Sequence, residues 1–136
     1  MSAPVRIQRK RERGWRMPEG AVYVGRLSLF GNPWTPGEAW GFTDAPTPRQ
    51  RAEWAVQQYR EELTHFGLMS DWGAHTTHDR WEEMDALITE NGWRDMADVA
   101  RHLLWGATAL ACWCPLVDAD GQPVPCHADV LIELLS

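Results

Sequence analysis

The chain has 136 residues, three of them cysteines, and a formal net charge of −6. This length fits a single domain with one core. The N-terminus lacks a secretory apolar region and no apolar stretch approaches a membrane span, so a soluble, cytoplasmic protein with no membrane partner is expected.

The charge is unevenly placed. Residues 1–26 hold seven of the thirteen basic residues against Glu12 and Glu19, a balance of +5, and the remainder carries −11. A basic N-terminal arm over residues 1–18, ahead of a single acidic domain over 19–136, fits a nucleic-acid or other polyanion contact. The same distribution fits an arm that folds onto the acidic body of its own chain. Twelve arginines stand against the single Lys10, which suits bidentate phosphate binding, although a GC-rich genome produces the same bias.

Val5–Gln8 alternates apolar and polar residues and predicts a short strand. Residues 10–18 are charged and end in a turn signal. Residues 21–25 are β-branched and aromatic and predict a second strand. Gly31, Asn32, Pro33 and Trp34 read as a loop. An irregular, proline-containing connection follows. Thr47 and Pro48 form an N-cap and first-turn pair. The helix they open runs to about His65, with Trp54, Ala55, Gln58, Tyr59 and Leu63 on helical spacing. Residues 67–78 read as a loop, and His75, His78 and Asp79 make a small polar cluster there. Asp79 is the expected cap of a helix reaching Thr89. Its apolar face holds Trp81, Met84, Leu87 and Ile88, and Glu82, Glu83 and Asp85 form a solvated face. A further helix is expected from about Arg94 to Leu104, with Met96, Val99, Ala100, Leu103 and Leu104 inward and Gly106 just past its end. Residues 107–112 predict a strong strand. The final helix begins at Pro125 or Cys126, with Val130, Leu131, Leu134 and Leu135 facing the core. Of the nine tryptophans, Trp54, Trp81 and Trp105 are expected in the core. Trp15 and Trp34 fall in loops, where packing competes with stacking on a base or sugar.

This order implies a small α/β layer structure, a sheet with helices packed on it and at least two parallel strands. Ligands of such sheets bind outside the carboxyl ends of the strands. The loops over 25–34 and 112–127 would share that edge.

Three groups of residues carry a resemblance. They are Arg6 and Arg9 with residues 14–18 and Tyr23-Val-Gly-Arg26, then Phe30-Gly-Asn-Pro33, then Cys112-Trp-Cys114 with Cys126-His127-Ala-Asp-Val-Leu131. Together they resemble the domain-of-unknown-function family numbered 4326, found in bacteria and their phages, whose hallmark is the Cys-Trp-Cys triplet. The resemblance implies a shared fold and an equivalent cysteine site, and it implies no activity.

The chemistry of the last quarter supports three readings. In an extended segment Cys112 and Cys114 point to one side and Trp113 to the other. A returning loop would set Cys126 and His127 opposite them, and three thiolates with one imidazole match the tetrahedral Cys3His preference of zinc. The spacing departs from common zinc patterns. In a second reading Cys126 is a reactive thiol at a helix N-terminus, with His127 or Asp129 transferring a proton. In a third, Cys112 and Cys114 are small core residues, and His127 and Asp129 are caps of the last helix. Arg26, Gly31, Asn32 and Trp34 are candidate ligand contacts in the first loop, and Arg9 and Arg16 in the arm, with no P-loop or dinucleotide fingerprint present. The expected function is nucleic-acid or nucleotide binding with a Cys/His site that holds zinc or shapes the pocket. The alternatives are a small enzyme acting on a nucleotide or base, and a host-interaction protein whose cysteines are structural.

Overall fold

A computed structural model describes residues 3–25, 28–32, 47–64 and 78–136. Three strands, β1 (Val5–Gln8), β2 (Ala21–Tyr23) and β3 (Ala109–Cys112), form one sheet in the order β1-β3-β2. Both pairings are parallel, with Arg6 and Val22 beside Leu110, and Gln8 beside Cys112. The central strand is Ala-Leu-Ala-Cys and is buried throughout. Small and apolar residues on both faces are what a strand needs when neighbours cover it on every side. The parallel pairing expected of the second and last strands is present. The first strand joins them at the other edge.

Four helices among the described residues pack with the sheet. They are α1 (Pro48–Thr64), α2 (His78–Asn91), α3 (Met96–Leu103) and α4 (His127–Leu134). α1, α3 and α4 pack on one another, α2 packs on α3, and α4 lies against β1 and β3. Tyr59, Leu63, Met84, Met96, Leu110 and Leu131 are among the largest fully buried side chains of this core. Thr47 caps α1 as expected: its Oγ1 accepts from the Gln50 N–H at 3.1 Å, and its own N–H donates to Gln50 Oε1 at 2.8 Å, a reciprocal capping box. Gly20 aims the chain into β2. Its φ is +79°, and a Cβ there would lie 2.8 Å from the Thr108 hydroxyl, which donates to the Glu19 carbonyl at 2.9 Å.

Several boundaries differ from the sequence reading. α2 begins at His78, so Asp79 lies inside it rather than at its cap. α3 begins at Met96 because Asp95 is its N-cap, accepting from the Asp98 N–H at 3.0 Å. It ends at Leu103, so Trp105 falls outside the helix. Helical spacing no longer turns Trp105 inward, and it is 68% exposed, while Leu103 at the helix end is also exposed. β3 starts at Ala109 because the Ala107 N–H closes a turn onto the Leu104 carbonyl and the Thr108 N–H donates to the Gly20 carbonyl ahead of β2. Among the described residues, no helix is long and apolar enough to cross a membrane.

Asp98 organises the start of α3. It accepts from the Arg94 N–H at 2.8 Å and pairs with the Arg94 and Arg101 guanidiniums. The Arg94 N–H, then those guanidiniums, hold its carboxyl below the ordinary value of 3.8. A depressed folded-state value stabilises the fold above the unfolded value and is lost as pH falls through the folded one. Asp98→Ala should cost about 1–2 kcal/mol at neutral pH. In urea melts the gap from the parent should hold above about pH 5 and shrink below 3.8. A gap that widens on acidification would contradict this assignment.

Candidate functional site

The chain beyond the carboxyl ends of β2 and β3 lines one cavity of about 270 Å³. Gly25 and Asn32 line one side of it, and Cys112, Cys114, Cys126 and His127 line the other. The two loops expected at one sheet edge therefore do meet. α1 closes the cavity with Ala52, Ala55 and Val56.

Each sulfur is placed by a different backbone device. Cys112 is the last residue of β3, fixed by the Arg9 N–H donating to its carbonyl at 2.8 Å. Cys114 follows in the bend. Cys126 is the N-cap of α4 with an extended backbone, and its N–H donates to Asp129 Oδ2 at 3.2 Å. Between them the chain makes a tight excursion around Asp118, whose Oδ1 accepts from the Asp120 and Gln122 N–H groups. Val117 and Pro123 bridge its two sides. Arg49 of α1 braces it, donating to the Pro123 carbonyl at 2.6 Å and pairing with Asp118.

The three sulfur atoms lie within 4.8 Å of one another. Cys112 and Cys126 are buried and 3.1 Å apart, and Cys114 is half-buried. Close thiols share protons, so they titrate as one unit. The Cys112 thiol, then the Cys126 thiol, acting as proton donors, with His127 and Arg6 nearby, bring Cys114 down from 9.0 to about 2. The same partnership pushes Cys112 up to about 11, Cys114 being the main cause. It raises Cys126 as well, through Cys112, Cys114 and burial. The cluster thus gives up its first proton easily and resists losing the next.

His127 is buried beside this cluster, edge-on to the Tyr59 ring. Its Nε2–H donates to the Val24 carbonyl at 2.5 Å, and its Nδ1 faces the Cys126 sulfur at 3.6 Å. The Val24 bond fixes a proton on Nε2, since a carbonyl only accepts. Nδ1 is thereby the ring atom presented to the sulfurs.

Asp129 is not placed beside the imidazole. Its carboxylate receives the Cys126 N–H and the Arg6 guanidinium, the latter at 3.0 Å. It is a cap and an ion-pair partner. Gly31 is buried in a turn, its N–H donating to the Ser28 carbonyl, and the Asn32 side-chain amide donates to the Ala55 carbonyl of α1. Arg9 lies beyond β1, over the Tyr23 and Trp113 rings. Arg16 is exposed, and Trp15 is half-buried. Arg26, Trp34 and His75 lie outside the described residues.

Arg6 is a residue of this edge that the sequence reading did not place at the site. Its guanidinium is 10% exposed and reaches across the sheet edge to Asp129, to the Val124 carbonyl at 2.7 Å and to the Leu116 carbonyl at 3.1 Å. It joins β1, the excursion between the cysteines and the start of α4. A charged residue inside a short strand beside a buried neighbour was the available signal.

The family model described as Domain of unknown function (DUF4326) matches residues 7–136. The chain belongs to that family, and the match includes all three cysteines and His127. No curated protein and no solved structure matches the chain.

Removing the Arg6 charge leaves a carboxylate and backbone carbonyls without their donor. Arg6→Met should therefore lower stability by about 2–3 kcal/mol in thermal or urea melts. Arg6→Lys should recover only part of this, because an ammonium cannot reproduce the planar fork. A methionine variant as stable as the parent would remove Arg6 as the organiser of this end.

Proposed function

We propose that this member of the domain-of-unknown-function family 4326 is a zinc–thiolate protein whose metal centre shapes a ligand cavity. The observation that carries the reading is the clustering of the Cys112, Cys114 and Cys126 sulfurs within 4.8 Å. Zinc–sulfur bonds of about 2.3 Å set a tetrahedral sulfur–sulfur edge of about 3.8 Å. The Cys112–Cys126 separation of 3.1 Å lies between that edge and a disulfide bond of about 2.05 Å. Metal entry therefore needs only a small opening of the pair.

His127 is the fourth ligand in this reading, through Nδ1. Its 3.6 Å separation from the Cys126 sulfur suits one edge of a tetrahedron. Nε2–H donation to a backbone carbonyl is the outer contact that orients ligating histidines. The ring has to move toward the other two sulfurs to complete the set. The cavity beside the centre takes a nucleotide or a segment of nucleic acid, the partner class suggested by the basic N-terminal residues. An enzyme built on Cys126, His127 and Asp129 is less well supported. Asp129 is held by Arg6, and the Cys126 thiol is buried and holds its proton.

Protein purified without chelator should carry about one zinc per chain by elemental analysis. Chelation should lower the melting temperature, because metal binding is coupled to folding. Cys112→Ser, Cys114→Ser and Cys126→Ser should each reduce zinc content. Metal-free protein with unchanged melting and three freely titrating thiols would sink the metal reading.

A further inference from the structure

The described arginines differ in how they are held. Arg6, Arg49, Arg60, Arg94 and Arg101 each pair with a carboxylate. Arg9 and Arg11 have no ion pair among the described residues and are held by rings instead. The Arg9 guanidinium lies 4.9 Å from the Tyr23 centroid and 5.2 Å from that of Trp113, and Arg11 lies 4.9 Å from Trp113. Trp113 is 37% exposed and lines the cavity. Two cations without carboxylate partners among the described residues therefore pack on a ring that lines the cavity, in a chain of net charge −6.

Stacking uses the face of a guanidinium and leaves its in-plane N–H donors directed outward. Those donors match the geometry of phosphate oxygens. Ala52, Ala55, Val56, Pro115, Val124 and Pro125 give the cavity apolar walls. Its volume of about 270 Å³ lies just below the ~300–1,000 Å³ usual for drug-sized ligands. It has room for one planar heterocycle and not for an oligonucleotide.

The geometry points to a nucleotide site in which Arg9 and Arg11 bind the phosphate and the cavity takes the base. This rests on the nucleotide reading above and assigns its residues. The nucleotide is either free or one unit of a single strand.

The test is calorimetric titration of the full, zinc-analysed chain with the four nucleoside monophosphates, the matching nucleosides, inorganic phosphate and a thymidine octanucleotide. At least one monophosphate should bind at one per chain, at least about tenfold more tightly than its nucleoside or phosphate alone. Arg9→Gln and Arg11→Gln should each weaken it about tenfold or more, with melting and zinc content unchanged. Equal affinity for the octanucleotide and the monophosphate identifies a free nucleotide as the source. Tighter, salt-sensitive octanucleotide binding identifies a strand. Nucleotide binding that survives both substitutions overturns this site while sparing the broader reading. Phosphate binding as tightly as the nucleotide overturns the assignment of the base to the cavity. No nucleotide binding at low salt overturns both. Zinc content measured on the same samples judges the metal centre separately.

Discussion

The guanidinium of Arg6 is the interaction on which this end of the molecule depends. Parallel strands leave their carboxyl ends at one edge, and nothing in a three-stranded sheet fixes the loops that leave it. Arg6 supplies that fixation from the edge strand. It holds the carbonyls of Leu116 and Val124, on the two sides of the excursion between Cys114 and Cys126. It also holds Asp129, which in turn caps Cys126. A single buried cation thus sets the distance between the end of β3 and the start of α4. The sulfurs inherit that distance.

The surroundings of the sulfurs then decide their chemistry. Cys112 and Cys126 are buried, and Cys114 is half-buried. A buried thiol without a cationic partner keeps its proton and is a poor nucleophile. Shared protons among three sulfurs, by contrast, are what a divalent cation displaces when it binds. His127 fits the same picture. Its Nε2 is tied to the end of β2 through Val24, so the sheet helps to aim the imidazole. Asp129, the nearest carboxylate in sequence, is engaged by Arg6 and the Cys126 N–H.

Much of the fold was legible in the sequence because it rests on local patterns. Thr47-Pro48 marked the start of α1, and the 3.6-residue spacing of Met84 and Ile88 or of Met96, Val99 and Ala100 marked buried helix faces. The cysteine site was legible through the i, i+2 geometry of Cys112 and Cys114 and the helix start after Cys126. The rest depended on contacts distant along the chain. Arg6 and Asp129 are 123 residues apart, and neither residue alone signals the pair. Asp129 therefore read equally well as an acid or a cap. Trp105 was misplaced because an apolar residue just beyond a helix end carries the same pattern as one inside it. Trp113 was expected to turn away from the sulfurs. Its engagement with Arg9 and Arg11 follows from the path of β1, which composition does not reveal.

The central claim is that three sulfurs of this chain share one metal ion. X-ray absorption at the zinc edge of protein purified without chelator tests it most directly. The account predicts a shell of three sulfur atoms at about 2.3 Å and one nitrogen at about 2.0–2.1 Å. A shell made wholly of oxygen and nitrogen, or one with fewer than three sulfurs, would contradict it.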